Sequence, residues 1–439
     1  MRVLAAMSGG VDSSVAAALA VEAGHEVVGV HLKLASSLQS WQDPQGVQRG
    51  CGSLQDTEDA ARIAKMLGIP YEVWDLSEEF EEKVVADFVA QYQAGNTPNP
   101  CVRCNDLVKT RELLLRSAQL GFDAVCTGHY AKLVRVGDQV QLHRAANQAK
   151  DQSYVLSVIG QRDLRRLMFP LGDAPSKQWV REQAENRGFP VSQKPDSFDI
   201  CFIPDGDTQG FLRSKLGVRP GTIVDSEGEV LGKHSGHYQF TVGQRKGLHL
   251  GRPAPSGKPR YVLEINPVSN QVVVGEAELL SVNVIRANRP VWLADPRTLI
   301  VDEGALVEFG NQVTGSVLEV PETVITAQVR AHGTPSVVRR LEIVEVESGE
   351  PVEAADAAES IAAAGEATEG AAVAEDGAVR PSGDPGLELR VELAAPIRGV
   401  AVGQSLVLYR GTQVVAEAVI RGSSATSRAA DSVLVGVIG

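Results

Sequence analysis

The chain of 439 residues lacks an apolar run long enough to cross a bilayer, so no membrane-spanning helix is expected. Its opening, "MRVLAAMSGG", reaches charged and glycine-rich sequence too early for a secretory leader. Cysteine is scarce: Cys51, Cys101, Cys104, Cys126 and Cys201 make a sparse, odd set. That excludes a disulfide scaffold and points to a reducing cytoplasm. Cys101 and Cys104 form a lone C-x-x-C with neither a second pair nor a nearby His pair at ligand spacing, so no metal centre is expected.

Excess positive charge is also missing. A net charge of −13 argues at first against a nucleic-acid partner. Residues 345–388, however, hold twelve Asp/Glu against one Arg, so the rest of the chain carries a net charge of only −2. The folded part is therefore close to neutral and free to carry local basic faces. The acidic stretch is rich in Ala, Glu and Gly and has no aromatic residue, so it is expected to be a disordered insertion at about 346–387.

What is present divides the chain. The first 200 residues alternate in the α/β manner: strands at "RVLAAM", "EVVGVHL", "PYEVWDL" and "DAVCTGH", helices over 13–23, 56–68 and about 106–120. This predicts an α/β, doubly wound parallel sheet with ligands at the carboxyl ends of its strands. From about 206 the chain turns to short alternating runs with hairpin turns at 225–228, 267–270 and 410–412. The expected organisation is a catalytic domain over 1–205, a small mixed domain over 206–280 and a β-barrel over 281–439, with the acidic insertion in a barrel loop.

The stretch "AAMSGGVDSSVAAALA" (residues 5–20) sits at the first strand-to-helix turn. One reading is a tight turn whose helix is capped by Asp12 or Ser13. The other is a phosphate cradle, since a helix start offers unpaired N–H groups and glycines admit an anion to the backbone. The G-x-x-x-x-G-K-[ST] and G-x-G-x-x-G patterns do not fit. The order S-G-G-x-D-S resembles the pyrophosphate loop of the ATP pyrophosphatases.

Three further stretches carry reactive side chains: "GNTPNPCVRCND" (95–106), "KDQSY" (150–154) and "KPDSFDICFIPDGD" (194–207). Pro98 and Pro100 predict an extended approach to the thiols, and Cys104 and Cys201 are expected in polar loops as exposed, reactive groups. Cys51 and Cys126 read as small buried hydrophobes. Together with "CTGHYAKL" and "FTVGQRKGL", these stretches resemble the tRNA-specific 2-thiouridylase family, bacterial enzymes that thiolate the wobble uridine of certain tRNAs. The likeness runs to about 345 and resumes near 388.

That resemblance implies residue roles. Ala6, Met7, Ser8, Gly9, Gly10, Val11, Asp12 and Ser13 would hold ATP phosphates with magnesium, and Leu32 and Gly128 would line the adenine and ribose. Cys201 would carry sulfur as a persulfide, and Cys104 would act as the nucleophile that releases it or closes a Cys104–Cys201 disulfide. Asn99, Pro100 and Cys101 would meet the extruded uridine. His129, Lys150, Asp151, Gln152, Arg330, Ala331 and Gln404 would contact tRNA. The implied partners are tRNAs for Lys, Glu and Gln and a cysteine desulfurase or sulfur-relay protein. The chain departs from the family at Cys101, where many members carry an Asp linked to proton transfer. Rival readings are a nitrogen-adding pyrophosphatase, an iron–sulfur tRNA thiolase, or a non-catalytic RNA-binding protein that keeps ATP as a structural ligand.

Overall fold

The computed structural model describes residues 1–34, 54–196, 200–203, 206–251, 256–299, 323–346 and 383–425. The expectations for Cys51 and for the body of the acidic insertion lie outside the described residues.

Five strands, β1 (Arg2–Ala6), β2 (Glu26–Lys33), β3 (Tyr71–Asp75), β4 (Ala124–Cys126) and β7 (Leu167–Met168), form a parallel sheet ordered β3-β2-β1-β4-β7. β1 is apolar along its middle because both faces are covered: Val3, Leu4 and Ala5 are buried. The helix α1 (Val11–Glu22) packs on one face through small residues, Ala16, Ala17, Ala18 and Ala20, all buried. Chain order reverses at β1, which has β2 on one side and β4 on the other. The crevice at its carboxyl end is therefore where such sheets bind ligands.

Of the two readings of the turn, the one capped by Asp12 or Ser13 is corrected. The α1 N-cap is Gly10, in extended backbone and with no side-chain cap, while Ser13 and Ser14 hydroxyls donate back to the Gly10 carbonyl. The extended approach over 95–104 is corrected too. Asn99 is extended, but its side chain accepts from the N–H groups of Cys101 and Val102 and starts a helix at Pro100–Cys104. Proline suits a first helical position, where no intrahelical N–H bond is lost. A π-helical turn over Asn105–Lys109 then leads into the helix Thr110–Gln119.

The middle of the chain forms a four-stranded sheet of β8 (Gly221–Asp225), β9 (Val230–His234), β10 (Tyr261–Asn266) and β11 (Gln271–Gly275), in the order β10-β11-β8-β9. The hairpin turns expected at 225–228 and 267–270 join β8 to β9 and β10 to β11. The C-terminal part is a closed barrel of six strands: β12 (Ser281–Trp292), β13 (Ile325–Gln328), β14 (Ser336–Glu345), β15 (Leu387–Arg398), β16 (Ser405–Arg410) and β17 (Gln413–Ser424). Pairing of β12 with β17 closes it, which removes the open edge a curved sheet would expose. Glu345 pairs with Leu387, so the acidic stretch connects two adjacent barrel strands.

One hairpin crosses between these units. β5 (Ala131–Val136) and β6 (Gln139–Arg144) leave the catalytic sheet and join the barrel sheet where Gln413 pairs with His143. Leu142, Tyr154, Leu164, Val407, Tyr409 and Val414 share one buried core, which welds the barrel to the parallel sheet.

Candidate functional site

A cavity of about 550 Å³ opens at the carboxyl end of β1, between the loop before α1, the helix Pro100–Cys104, the segment around Cys201 and the barrel. Gly9 takes φ +78°, and a Cβ there would lie 2.2 Å from the Asp56 carbonyl oxygen, so the turn is closed to other residues. From the far side Lys194 clamps the same turn, donating to the Gly9 carbonyl at 2.9 Å and to Asp56 and Asp59 at 2.7 Å each. Buried His31 donates through Nδ1 to the Met7 carbonyl at 2.9 Å. The loop is thereby held with the uncapped start of α1 directed into the cavity, an arrangement suited to an anion.

Of the loop residues, Ser8, Gly10, Val11 and Asp12 line the cavity, whereas Ala6, Met7, Gly9 and Ser13 shape it from behind. Ser13 is buried and receives the Ser8 N–H at 3.1 Å. Gly128 packs directly on the loop: a Cβ there would sit 2.6 Å from the Ser13 nitrogen. Leu32 lies in β2, packed against two apolar clusters rather than on the cavity wall.

Cys101, Cys104 and Cys201 all line the same cavity. The expected exposure of Cys104 is corrected: it is 5% exposed, on a helix, packed with Leu34, Leu76, Phe80 and Leu107. Cys201 is half-buried and touches that cluster. Burial of a thiol beside apolar side chains restricts its approach to the cavity side. Cys126, inside β4, donates to the Ala16 carbonyl, and burial pushes its thiol up to about 12, which makes it inert.

The residues assigned to RNA divide in two. Asn99, Pro100, His129, Lys150, Gln152, Ala331 and Gln404 line the cavity. Burial, with Lys109 nearby, lowers His129 to about 4, so it is a neutral imidazole bonded to Thr127 at 2.8 Å. Gln404 donates to the Thr97 carbonyl at 2.7 Å and ties the barrel to the thiol segment. Asp151 also reaches the wall, but its carboxylate is taken up by Arg144 at 3.1 Å, the Ala145 N–H and Ser153. Arg330 is not on the wall and donates to the Gly399 carbonyl.

Sequence reading assigned no role to Tyr130, Lys177, Asp196 and His332, which also line the cavity. Tyr130 donates to Asp12 at 2.6 Å, and Lys177 pairs with both Asp12 and Asp196. Burial alone would raise the Asp196 carboxyl, yet hydrogen bonds from Lys150 and Lys177 hold it at about 2. Lys177 had a signal in the sequence. It follows a helix-capping Ser176, and a cation in the first helical turn opposes the helix dipole unless a carboxylate answers it.

Among the described residues no group of three or more His, Cys, Asp or Glu is placed to hold a metal, and no helix is long and apolar enough to cross a membrane.

Comparison with known proteins extends this picture. The tRNA methyl transferase HUP domain family matches residues 1–205, and that family's PRC-barrel domain matches 209–276. The aminomethyltransferase beta-barrel domain family matches 373–420. The tRNA-specific 2-thiouridylase of Micrococcus luteus is 50% identical over 422 residues, 96% of each chain. That of Beutenbergia cavernae is 48% identical over 438 residues, 100% of this chain and 99% of its own. That of Kocuria rhizophila is 48% identical, covering 96% of this chain and 97% of its own. A solved 4-thiouridine synthetase–RNA complex with bound ATP is 18% identical with a TM-score of 0.28 over 49% of this chain and 50% of its own, too slight a likeness to carry an argument. With near-complete coverage by relatives at about half identity, the chain belongs to the tRNA-specific 2-thiouridylase family.

Proposed function

We propose that the chain converts the wobble uridine of tRNA (position 34) to 2-thiouridine in the cytoplasm, using ATP and a protein-borne sulfur. The observation that carries this is one cavity in which Ser8, Gly10, Val11, Asp12, Cys104 and Cys201 meet. ATP phosphates lie at the uncapped start of α1, with Lys177 as the nearest cation on the wall. The uracil O2 attacks the α-phosphate and pyrophosphate leaves, so that the oxygen departs later within AMP. Magnesium, when bound, neutralises phosphate charge, and Asp12 is the carboxylate at that end of the cavity.

Sulfur arrives on Cys201 as a persulfide from a cysteine desulfurase or its relay. In one route Cys104 thiolate attacks the Cys201 sulfur, hydrosulfide leaves, and hydrosulfide adds to C2 of the base as AMP departs. In the other, the persulfide adds to C2 and Cys104 then cleaves the S–S bond. Both routes end with 2-thiouridine and a Cys104–Cys201 disulfide, which an external thiol reductant resets. Asn99, Pro100 and Cys101 surround the target base, and Lys150, Gln152, Ala331 and Gln404 face the adjoining RNA. Cys101 stands where many family members carry the Asp linked to proton transfer, and its thiol is the group at that place on the wall.

The test is reconstitution with ATP, tRNA for Glu, cysteine, a cysteine desulfurase and its relay. Pyrophosphate release and tRNA nucleosides are followed by mass spectrometry. The expected result is tRNA-dependent pyrophosphate with one 2-thiouridine per tRNA. Pyrophosphate with incorporated nitrogen, or none at all, sinks the proposal.

A further inference from the structure

Cys101 and Cys104 stand one turn apart on the helix Pro100–Cys104. Helix geometry sets the Cα atoms of residues i and i+3 about 5 Å apart, inside the span a disulfide bridges. The turn is fixed on its other sides. Asn99 holds its start, accepting the N–H groups of Cys101 and Val102 at 3.1 and 3.3 Å. Val102 is buried in the core shared with the barrel, and Arg103 pairs with Asp87 at 3.3 Å and Asp106 at 3.6 Å. The two cysteines are left on the cavity side, and both line it.

Cys201 lines the same cavity from a separate segment. Its neighbour Phe202 packs edge-on to Phe80, with 5.8 Å between ring centroids, and Phe80 belongs to the apolar cluster that covers Cys104. Cys201 itself touches that cluster. Cys104, 5% exposed, thus has two thiols to pair with: Cys101 in its own turn, and Cys201 across the apolar cluster. An Asp at position 101 exchanges protons only. A thiol there also exchanges sulfur.

We propose that Cys101 is the resolving thiol of the reaction: it takes Cys104 out of the Cys104–Cys201 disulfide and so returns Cys201 to its reduced form. The inference rests on the sulfur-transfer reading given above. In this step the Cys101 thiolate attacks Cys104 Sγ. The Cys104–Cys201 bond breaks, a Cys101–Cys104 bond forms, and the electron pair leaves on Cys201 as thiolate. The proton lost by Cys101 is regained at Cys201, and the number of disulfides is unchanged, so the exchange needs no oxidant or reductant. The external thiol then reduces the Cys101–Cys104 disulfide with two electrons and two protons. Because Cys101 and Cys104 share one turn, their pairing needs no rearrangement between segments, and their effective concentration is correspondingly high. Cys201 can take the next persulfide before that reset is complete.

The experiment maps disulfides in the full chain after alkylation of the remaining thiols with N-ethylmaleimide and digestion by trypsin. Cleavage at Arg103 puts Cys101 and Cys104 on separate peptides, and Cys201 lies on a third. One arm equilibrates the protein in a glutathione redox buffer, without ATP or tRNA. In the other, the protein is loaded with sulfur by a cysteine desulfurase, its relay and cysteine, then desalted. ATP and tRNA are added, and 2-thiouridine is counted in the same sample. In both arms Cys101–Cys104 is expected to exceed Cys104–Cys201 by about tenfold or more, with Cys201 alkylated. Cys101→Ser should convert the population to Cys104–Cys201 and shield Cys201 from alkylation. Dominance of Cys104–Cys201 in the wild type, in either arm, overturns the proposal without recourse to a variant. Absence of 2-thiouridine while the redox-buffer arm yields Cys101–Cys104 overturns the sulfur-transfer reading and not the thiol pairing.

Discussion

The Arg144 guanidinium lies over the Tyr409 ring, 3.5 Å from its centroid, and joins the β5–β6 hairpin to the barrel. The same group donates to Asp151 at 3.1 Å and to Gln328 at 2.7 Å. Gln328 in turn donates to the carbonyls of Arg330 and Ala331, so Arg144 sets the barrel wall of the cavity. Arg144→Met leaves the buried Asp151 carboxylate without its cationic partner and should destabilise the protein by about 3–5 kcal/mol. Urea unfolding checks this. An effect under 1 kcal/mol, on the order expected of an exposed ion pair, would contradict it.

Glu417 predicts a pH dependence. It is fully buried in β17, and its Oε1 has no hydrogen-bond partner among the described residues. Burial lifts its carboxyl from 4.5 to about 7, against a hydrogen bond with Ser405, while Asp106 adds to the rise and Arg103 opposes it. Between these two values the folded protein keeps a proton that the unfolded chain releases. Stability should therefore fall as pH rises from about 4.5 to about 7, by on the order of 3 kcal/mol from this group. Glu417→Gln should flatten that slope, and urea midpoints at pH 5 and pH 8 for both proteins decide it.

Gly128→Ala places a methyl group 2.6 Å from the Ser13 nitrogen, where backbone must move. The nucleotide loop should distort and ATP affinity should drop at least tenfold, about 1.4 kcal/mol, with tRNA affinity near wild type. Calorimetry with ATP and gel shift with tRNA separate the two.

The cysteines should divide the reaction. Cys201→Ser should adenylate tRNA but form no 2-thiouridine. Cys104→Ser should take labelled sulfur onto Cys201 and stall there. Cys126→Ser should be nearly silent, since its thiol bonds only the Ala16 carbonyl and sits on the far side of the loop from the chemistry. Labelled sulfur on protein against sulfur on tRNA is the readout. Full transfer by Cys201→Ser would remove it as carrier.

Deleting residues 348–381 should leave thiolation unchanged and tighten tRNA binding at low salt, because the segment carries acid towards a polyanion. The cut keeps Gly383, packed on the Arg289 carbonyl, and the Val346 N–H bond to Gly386. Loss of activity at wild-type stability would show that the segment works in the site.

What the sequence made legible was local. The Ser8–Asp12 turn, the parallel strands and the turns at 225–228, 267–270 and 410–412 are each written in a few adjacent residues. Asn99-Pro100 was harder, because proline restricts the residue before it to extended backbone and also favours the first turn of a helix. Asn99 obeys the first rule and Pro100 the second. The pairing of Lys177 with Asp12 and Asp196 and the attachment of β6 to β17 depend on contacts between distant segments, and no local periodicity encodes those. The burial of Cys104 was hidden for the same reason, since Leu34 and Leu76 supply its cover.

The β5–β6 hairpin also has a consequence for synthesis on the ribosome. His143 meets Thr412 across 269 positions, and Gln404 completes a wall whose first residues emerge at the very start of translation. The nascent catalytic half cannot complete the core it shares with Val407, Tyr409 and Val414 until the last strands appear, so the barrel-facing side of its hairpin waits uncovered for most of its synthesis. A late, long-range docking step of this kind makes assembly slow and exposes the half-made chain to chaperones. It also means that a ribosome-stalled fragment ending before residue 404 carries the nucleotide turn and both thiols but lacks Gln404 of the cavity wall and Tyr409 of the shared core.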